Sequence, residues 1–317
     1  MTFGETDVRS SSLSDRLNAR MAVEERRARL RHTLRRRVSR AFDRHVTRIV
    51  LKFGLQIARL YPVGLRNAVS PVVRKIRLHF ADLPAAFHGF QILHLSDLHI
   101  DGTDGLTEAL LPVLSGLKPD LCVITGDYRF EDDGPSEEVY PRMRSILSRI
   151  SSRHGMFGIL GNHDSSEMAF ALEEMGMTML VNDAAQIRRG NASVWLIGVD
   201  DPFKYKCDDL ASALSSVPSE AFKILLAHTP ELYGESCDRG IHLYLCGHTH
   251  AGQIRLPVIG SLRHNANCPR SYAHGHWAHG EMQGYTSAGI GSSTLPVRFN
   301  CPPEVVLIEL AAKRQPI

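Results

Sequence analysis

Five short apolar runs in this 317-residue chain break off in the same way, each into aspartate, asparagine or histidine. Phe90–Leu95 leads into Ser96-Asp97-Leu98-His99, and Leu121–Thr125 into Gly126-Asp127. Met156–Leu160 leads into Gly161-Asn162-His163-Asp164, Phe222–Ala227 into His228, and Ile241–Cys246 into Gly247-His248-Thr249-His250. Runs of this length and texture read as strands. Two more stand at Ser193–Val199 and Val305–Leu310, and helical patterns fall near 103–116, 136–151, 166–176 and 207–216. Strands alternating with helices predict a layered α/β domain. In open sheets of that kind, sites form outside the carboxyl ends of the strands.

Taken singly, these endings say little. An Asp-x-His is most often a capped turn, a Gly-Asp a plain turn, and a lone histidine after a strand a satisfied structural residue. Their chemistry is nonetheless suggestive. In an extended segment residues i and i+2 point to one side, so Asp97 and His99 converge. Gly126 permits the tight turn that delivers the Asp127 carboxylate at a strand end. Asn162 supplies a neutral oxygen and limits the negative charge. Five such endings together would need five independent coincidences under a purely structural reading. Mixed oxygen and imidazole donors suit manganese, iron or zinc better than magnesium or calcium. The lack of thiolates argues against a structural zinc site.

Composition sorts the rest of the chain. An apolar share of 43% is enough for a sizeable core. The net charge of +3 conceals an asymmetry: residues 1–75 hold 18 Lys/Arg against 6 Asp/Glu, leaving 19 against 28 in the remainder. A basic arm on an acidic body points to an anionic partner for the arm. Residues 1–20 are polar and Ser-rich and predict disorder. Residues 21–75 predict a basic helical arm and linker, and residues 76–317 the catalytic domain. Within the arm, Phe42, Val46, Ile49, Val50, Phe53, Ile57 and Leu60 recur at helical spacing, while Arg44, Arg48, Lys52 and Arg59 fall largely on other faces. Such a helix over residues 40–60 suits an anionic membrane interface. Packing on its own domain, or against a second copy, is the plainer alternative. Nucleic acid is disfavoured, because residues 20–40 contain no aromatics and the acidic body would repel a polyanion.

No run approaches the roughly 18 apolar residues of a membrane span. No signal peptide is evident, and Arg35-Arg36-Arg37 lacks the apolar stretch that an export signal needs. The six cysteines include no Cys-x-x-Cys pair and read as reduced thiols. The expected location is therefore cytoplasmic, peripheral on the inner face of the membrane.

With the motifs in this order, residues 90–310 closely resemble the calcineurin-like metallophosphoesterase superfamily. The resemblance rests on Asp97-Leu98-His99, Gly126-Asp127, Gly161-Asn162-His163-Asp164, His228 and Gly247-His248-Thr249-His250. It implies an αββα sandwich, two mixed β-sheets flanked by helices. It implies two divalent ions, one held by Asp97, His99 and His250, the other by Asn162, His228 and His248, with Asp127 bridging. His163 would act at the leaving oxygen, with Asp164 as a partner behind it. The implied reaction is phosphoester hydrolysis by a hydroxide that bridges the ions and attacks phosphorus in line. All these positions are intact, which argues against a catalytically silent relative.

A narrower likeness, in Gly247–Ile254 and in Gly289–Ser293 followed by Leu295–Phe299, is to a bacterial branch that includes UDP-2,3-diacylglucosamine pyrophosphatases of lipid A synthesis. It implies a lipid-linked or nucleotide-linked phosphodiester or pyrophosphate substrate. The alternative is a phosphodiesterase for a soluble nucleotide or other small diester. Arg129 and Arg298 are candidate phosphate contacts, since guanidinium forks match phosphate oxygens, although Arg298 would serve equally to anchor the last strand. His274, His276 and His279 read as a loop at the substrate entrance rather than a third metal site.

Overall fold

Alternation along the strands decides the layers. The computed structural model describes residues 12–31, 46, 48–134, 136–261 and 265–313. In β2 (Phe90–Leu95), Phe90 and Ile92 face one core while Leu93 and Leu95 face another. In β9 (Leu243–Cys246), Leu243 and Leu245 share the first of these cores, and Tyr244 and Cys246 turn away into a third. Every second side chain on both sheets thus belongs to one shared interior, as a sandwich requires. Clusters on the two outer faces complete the layers.

The remaining strands are β1 (Val72–Phe80), β3 (Leu121–Ile124), β4 (Met156–Gly158), β5 (Thr178–Met179), β6 (Asp183–Arg189), β7 (Ala192–Gly198), β8 (Lys223–Leu226), β10 (Arg255–Leu256), β11 (Gly260–Ser261), β12 (Gly275–His279), β13 (Met282–Thr286) and β14 (Glu304–Ala312). One sheet has the order β1-β14-β2-β3-β4-β5, the other β12-β13-β9-β8-β7-β6, and β10-β11 form a separate hairpin. Both large sheets are mixed. β2, β3 and β4 run parallel, as do β7, β8 and β9, while β14 runs antiparallel to β2 and β6 to β7. The fold is the mixed α/β sandwich with helices outside. The parallel neighbours matter for function, because they bring their carboxyl ends to one edge.

The N-terminal region departs from expectation in two places. Helix α1 (Leu13–Arg31) begins inside the stretch read as disordered. Ser12 starts it reciprocally: its hydroxyl accepts from Asp15 N at 3.2 Å, and its own N–H donates to the Asp15 carboxylate at 3.2 Å. Leu13 and Leu17 are then buried in the cluster over the first sheet. The boundary expected at residue 76 falls within β1, which pairs in parallel with β14 along its whole length. Cross-strand pairs Arg74–Glu304 and Arg77–Glu309 explain how so basic a segment lies in a sheet. Just before it, α2 (Tyr61–Ala68) packs Gly64 so closely on Val297 and Phe299 that a β-carbon there would overlap both.

Residues 48–57 are helical, and their apolar side chains stay in the open: Ile49 is 54% exposed, Phe53 63% and Ile57 70%. Arg35–Arg37, Phe42 and Arg44 lie outside the described residues, as do residues 1–11. Among the described residues no helix is long and apolar enough to cross a membrane. All six cysteines are free thiols.

Candidate metal centre

Asp97 and His99 follow β2, Asp127 follows β3 and Asn162 follows β4, all at the edge of one sheet. His228 follows β8, and His248 and His250 follow β9, at the edge of the other. The turns between them are knit together by the backbone. Asp97 N donates to Gly126 O at 3.0 Å, His99 N to Asp127 O at 3.0 Å, and Gly247 N to His228 O at 2.9 Å. Glycine is needed where the two edges touch, since a β-carbon on Gly247 would collide with the Asp97 carboxylate and the Ser96 hydroxyl.

The backbone is also bent unusually here. Asp97 (φ 49°), His99 (37°), Asp127 (58°), His248 (68°) and His250 (49°) all lie in the left-handed region. Few non-glycine residues adopt it, and such strain persists where the surroundings over-determine it.

Three groups of donor atoms result: Asp97, His99 and His250; His99, Asp127 and His163; and Asp127, His228 and His248. Within each group the atoms lie within 4.8 Å of one another. One Asp127 carboxylate oxygen, Oδ2, stands between them, 3.3 Å from His228 Nε2, 3.6 Å from His99 Nε2 and 3.9 Å from His163 Nε2. Asn162 Oδ1 lies 3.0 Å from His228 Nε2, and Asp97 Oδ1 3.5 Å from His250 Nε2. The structure thus gathers all seven expected ligands, and His163, around one point.

The hydrogen bonds behind the rings test whether cations fit. A ring nitrogen facing a carbonyl oxygen must donate to it. His99 Nδ1 donates to Arg129 O at 2.7 Å, His228 Nδ1 to Thr125 O at 2.7 Å, and His248 Nε2 to Asn265 O at 2.7 Å. In a neutral ring the opposite nitrogen is then a bare acceptor. Three such acceptors converge on buried carboxylate oxygens, an arrangement that repels itself unless a cation or proton lies between. This outer anchoring of the rings is the arrangement metal-binding histidines adopt.

The charges agree. Burial raises the Asp127 carboxyl, but the His228 imidazole beside it outweighs burial and holds it well below the usual range. Burial likewise pushes His228 down, and Asp127 opposes this so strongly that it titrates at about 10. Burial, aided by its neighbour His228, lowers His248 to about 4. The residues present therefore fit divalent cations, with ligand groups around Asp97, His99 and His250 and around Asp127, His228 and His248.

Other expected residues serve differently. Arg298 is fully buried and donates to the carbonyls of Ala288 (2.9 Å), Gly289 (3.1 Å), Gly291 and Cys301, with Nη2 3.4 Å from His250 Nδ1. It braces the loop behind His250, and none of it is left for a phosphate. Arg129 is consumed in the same way by the carbonyls of His163, Gly134 and Asp132. Asp164 stands behind the backbone rather than behind His163: its carboxylate accepts from Gly161 N (2.7 Å), Asp127 N (2.8 Å) and Tyr128 N (2.9 Å). His276 bonds Gln283 at 3.0 Å and His279 bonds Tyr272 at 3.0 Å, and among the described residues no metal-binding group forms around His274, His276 and His279.

Sequence reasoning missed the groups that hold the site in place. Asp132 Oδ1 lies 3.1 Å from His163 Nδ1, which also donates to Phe130 O at 2.6 Å. Lys204 Nζ donates to Asn162 O at 2.8 Å. Asp201 fixes that turn by accepting from Phe203, Lys204 and Tyr205 N–H. A signal existed, since Val199-Asp200-Asp201 is a sixth apolar run that ends in acid.

Comparison with known proteins agrees with this geometry. A family model described as calcineurin-like phosphoesterase matches residues 90–252. Phosphodiesterase YaeI of Escherichia coli (strain K12) is 32% identical over 230 residues, covering 70% of this chain and 82% of its own length. The uncharacterized metallophosphoesterase YkuE of Bacillus subtilis (strain 168) is 28% identical over 235 residues, covering 72% and 81%. Among solved structures, a phosphopantetheinyl hydrolase of Mycobacterium tuberculosis aligns with a TM-score of 0.42 and 12% identity, over 64% of this chain and 90% of that one, a likeness too loose to place any residue.

Proposed function

The chain belongs to the calcineurin-like phosphoesterase family and is a metal-dependent phosphoester hydrolase, and from that premise we propose that it cleaves a phosphodiester or pyrophosphate presented at an anionic membrane surface. UDP-2,3-diacylglucosamine is the specific substrate we put forward, and manganese the first choice of metal, with iron or zinc next.

The observation that carries this reading is the exposed helical stretch 48–57. Ile49, Val50, Phe53 and Ile57 stand open to solvent on a segment that also bears Arg48, Lys52 and Arg59. Apolar faces with basic flanks suit an interface of anionic lipid. The stretch also adjoins the site. Arg48 pairs with Glu131 at 3.1 Å and lies 5.0 Å over the Phe130 ring, whose carbonyl holds His163. A second observation supports a substrate with an extra anionic group. A cavity of about 240 Å³ is lined by Arg255, Arg270, His274 and Ala251, the last being the residue after His250. Among the described residues neither arginine has a carboxylate partner.

Divalent cations held at the metal centre would supply Lewis acidity, offsetting phosphate charge and lowering the pKa of a water. The chain's own groups do the rest. Asp127 and the imidazoles of His99, His228, His248 and His250 would hold the ions. His163, a fifth exposed and held at Nδ1 by Asp132 and Phe130 O, can donate a proton from Nε2 to the departing oxygen when the ring is doubly protonated, and is left as the neutral Nδ1–H ring. Arg129 and Asp164 keep that loop from yielding.

A second reading is cleavage of a soluble diester, for which the phosphodiesterase name of the Escherichia coli relative supports the diester chemistry only. Hydrolysis of bis(p-nitrophenyl) phosphate and of UDP-2,3-diacylglucosamine, each with manganese, by wild type and Asn162→Ala separates the two. Lipid-nucleotide cleavage that the mutant loses supports the membrane reading. Diester cleavage alone gives the soluble reading instead.

A further inference from the structure

Helix α1 lies outside the residues that the family model matches, yet it reaches the back of the metal centre. Arg20 is fully buried. Its Nη1 pairs with the Asp200 carboxylate, and its Nη2 donates to Gly161 O at 2.7 Å and Asp164 O at 2.7 Å. The Tyr205 ring covers the guanidinium at 3.8 Å. A buried guanidinium is tolerated only when its charge and donors are met. Here a carboxylate, two carbonyls and an aromatic face meet Nη1 and Nη2, while Nε lies 3.5 Å from the Glu24 carboxylate and makes no hydrogen bond among the described residues.

The two carbonyls are those of the residues on either side of Asn162-His163. One planar fork therefore holds both ends of the segment that carries a metal ligand and the proton donor. Two further positions on the same helix face, spaced i+4 and i+7, extend the grip. Glu24 accepts from Ser166 N at 2.8 Å, and Arg27 donates to Lys204 O at 2.6 Å, while Lys204 Nζ bonds Asn162 O. We propose that Arg20 is a positioning residue of the metal centre, borrowed from a helix beyond the family domain, which sets Asn162 at the distance its ion requires. This rests on the assignment of Asn162 as a ligand.

The test uses the full chain, stripped of metal and titrated with manganese, as wild type, Arg20→Ala, Arg20→Lys, Arg27→Ala and Leu17→Ala. Leu17 lies on the same helix and is buried in the apolar cluster over the first sheet. Melting temperature is measured alongside, and kcat and KM on bis(p-nitrophenyl) phosphate follow. We expect Arg20→Ala to weaken one of two manganese sites by about tenfold or more, as loss of a group behind a ligand does. Its kcat should fall more than its KM rises. Lysine, a point charge without the fork, should not restore the site. Leu17→Ala should melt early and bind both ions normally. If Arg20→Ala does not fold, Arg27→Ala decides, with a smaller loss at the same site in favour and no loss against. Normal manganese binding by Arg20→Ala, or equal weakening by Leu17→Ala, overturns the proposal. A wild type that takes up fewer than two ions overturns the ligand assignment itself, and the role of Arg20 with it.

Discussion

Helix α1 and the helical stretch 48–57 belong to the same basic arm, and each sits where the other's composition would be expected. α1 is crowded with arginine and glutamate, yet it is docked, with Leu13, Leu17 and Arg20 buried. The 48–57 stretch carries Ile49, Val50, Phe53 and Ile57, yet it leaves them between 54% and 70% exposed. Burial followed the availability of matching partners rather than hydropathy. α1 meets a carboxylate, main-chain carbonyls and an apolar groove of the right shape. Among the described residues, the other stretch meets the rim of the site through Arg48, and its apolar side chains form the kind of open patch that marks an interaction surface.

That contrast can be broken at either helix. The largest effect should come from Arg20→Ala, which strands the Asp200 carboxylate in the interior. Chemical denaturation should show a loss of about 3–5 kcal/mol. Leu17→Ala removes a fully buried side chain and should cost about 2–4 kcal/mol by the same measurement. At the other helix, replacing Ile49 and Phe53 together by aspartate should leave the unfolding midpoint within about 0.5 kcal/mol. Sedimentation with vesicles containing phosphatidylglycerol should register its loss instead, at least about tenfold in partitioning. Unchanged vesicle binding would mean that the open patch meets something other than lipid. Arg48→Ala breaks a surface pair and should change stability by less than about 1 kcal/mol, with no tenfold effect on vesicle binding.

The residues gathered at the strand ends were legible in the sequence, because a strand shows its period locally and a polar residue breaks it, with Gly126 also marking the turn before Asp127. Asp97, Asp127 and His228 are such residues. The supports were not, because they lie far along the chain from what they hold. Arg20 looked like one charge in a run, and nothing local distinguishes it from Arg26. Asp132 sat in the acidic turn Glu131-Asp132-Asp133. The strand β1 was missed for a related reason. Its outer face is basic, and its neutralising partners Glu304 and Glu309 lie in β14. Arg129 and Arg298 show the converse: each was a candidate phosphate contact by its charge, and the structure commits its donors to carbonyls, close to the anchoring alternative for Arg298.

The pairing of β1 with β14 bears on how the molecule is made. Residues 304–312 lie between β1 and β2, so Val72 and Phe90 cannot belong to one continuous sheet until that late segment has been synthesised. During translation the first sheet stays open along a seam, with unpaired edges of the kind that invite wrong partners. Glu304 N also donates to Gly289 O, and Gly289 crowds Asp97. Closure of the seam is thus tied by a backbone hydrogen bond to the loop that presses on Asp97.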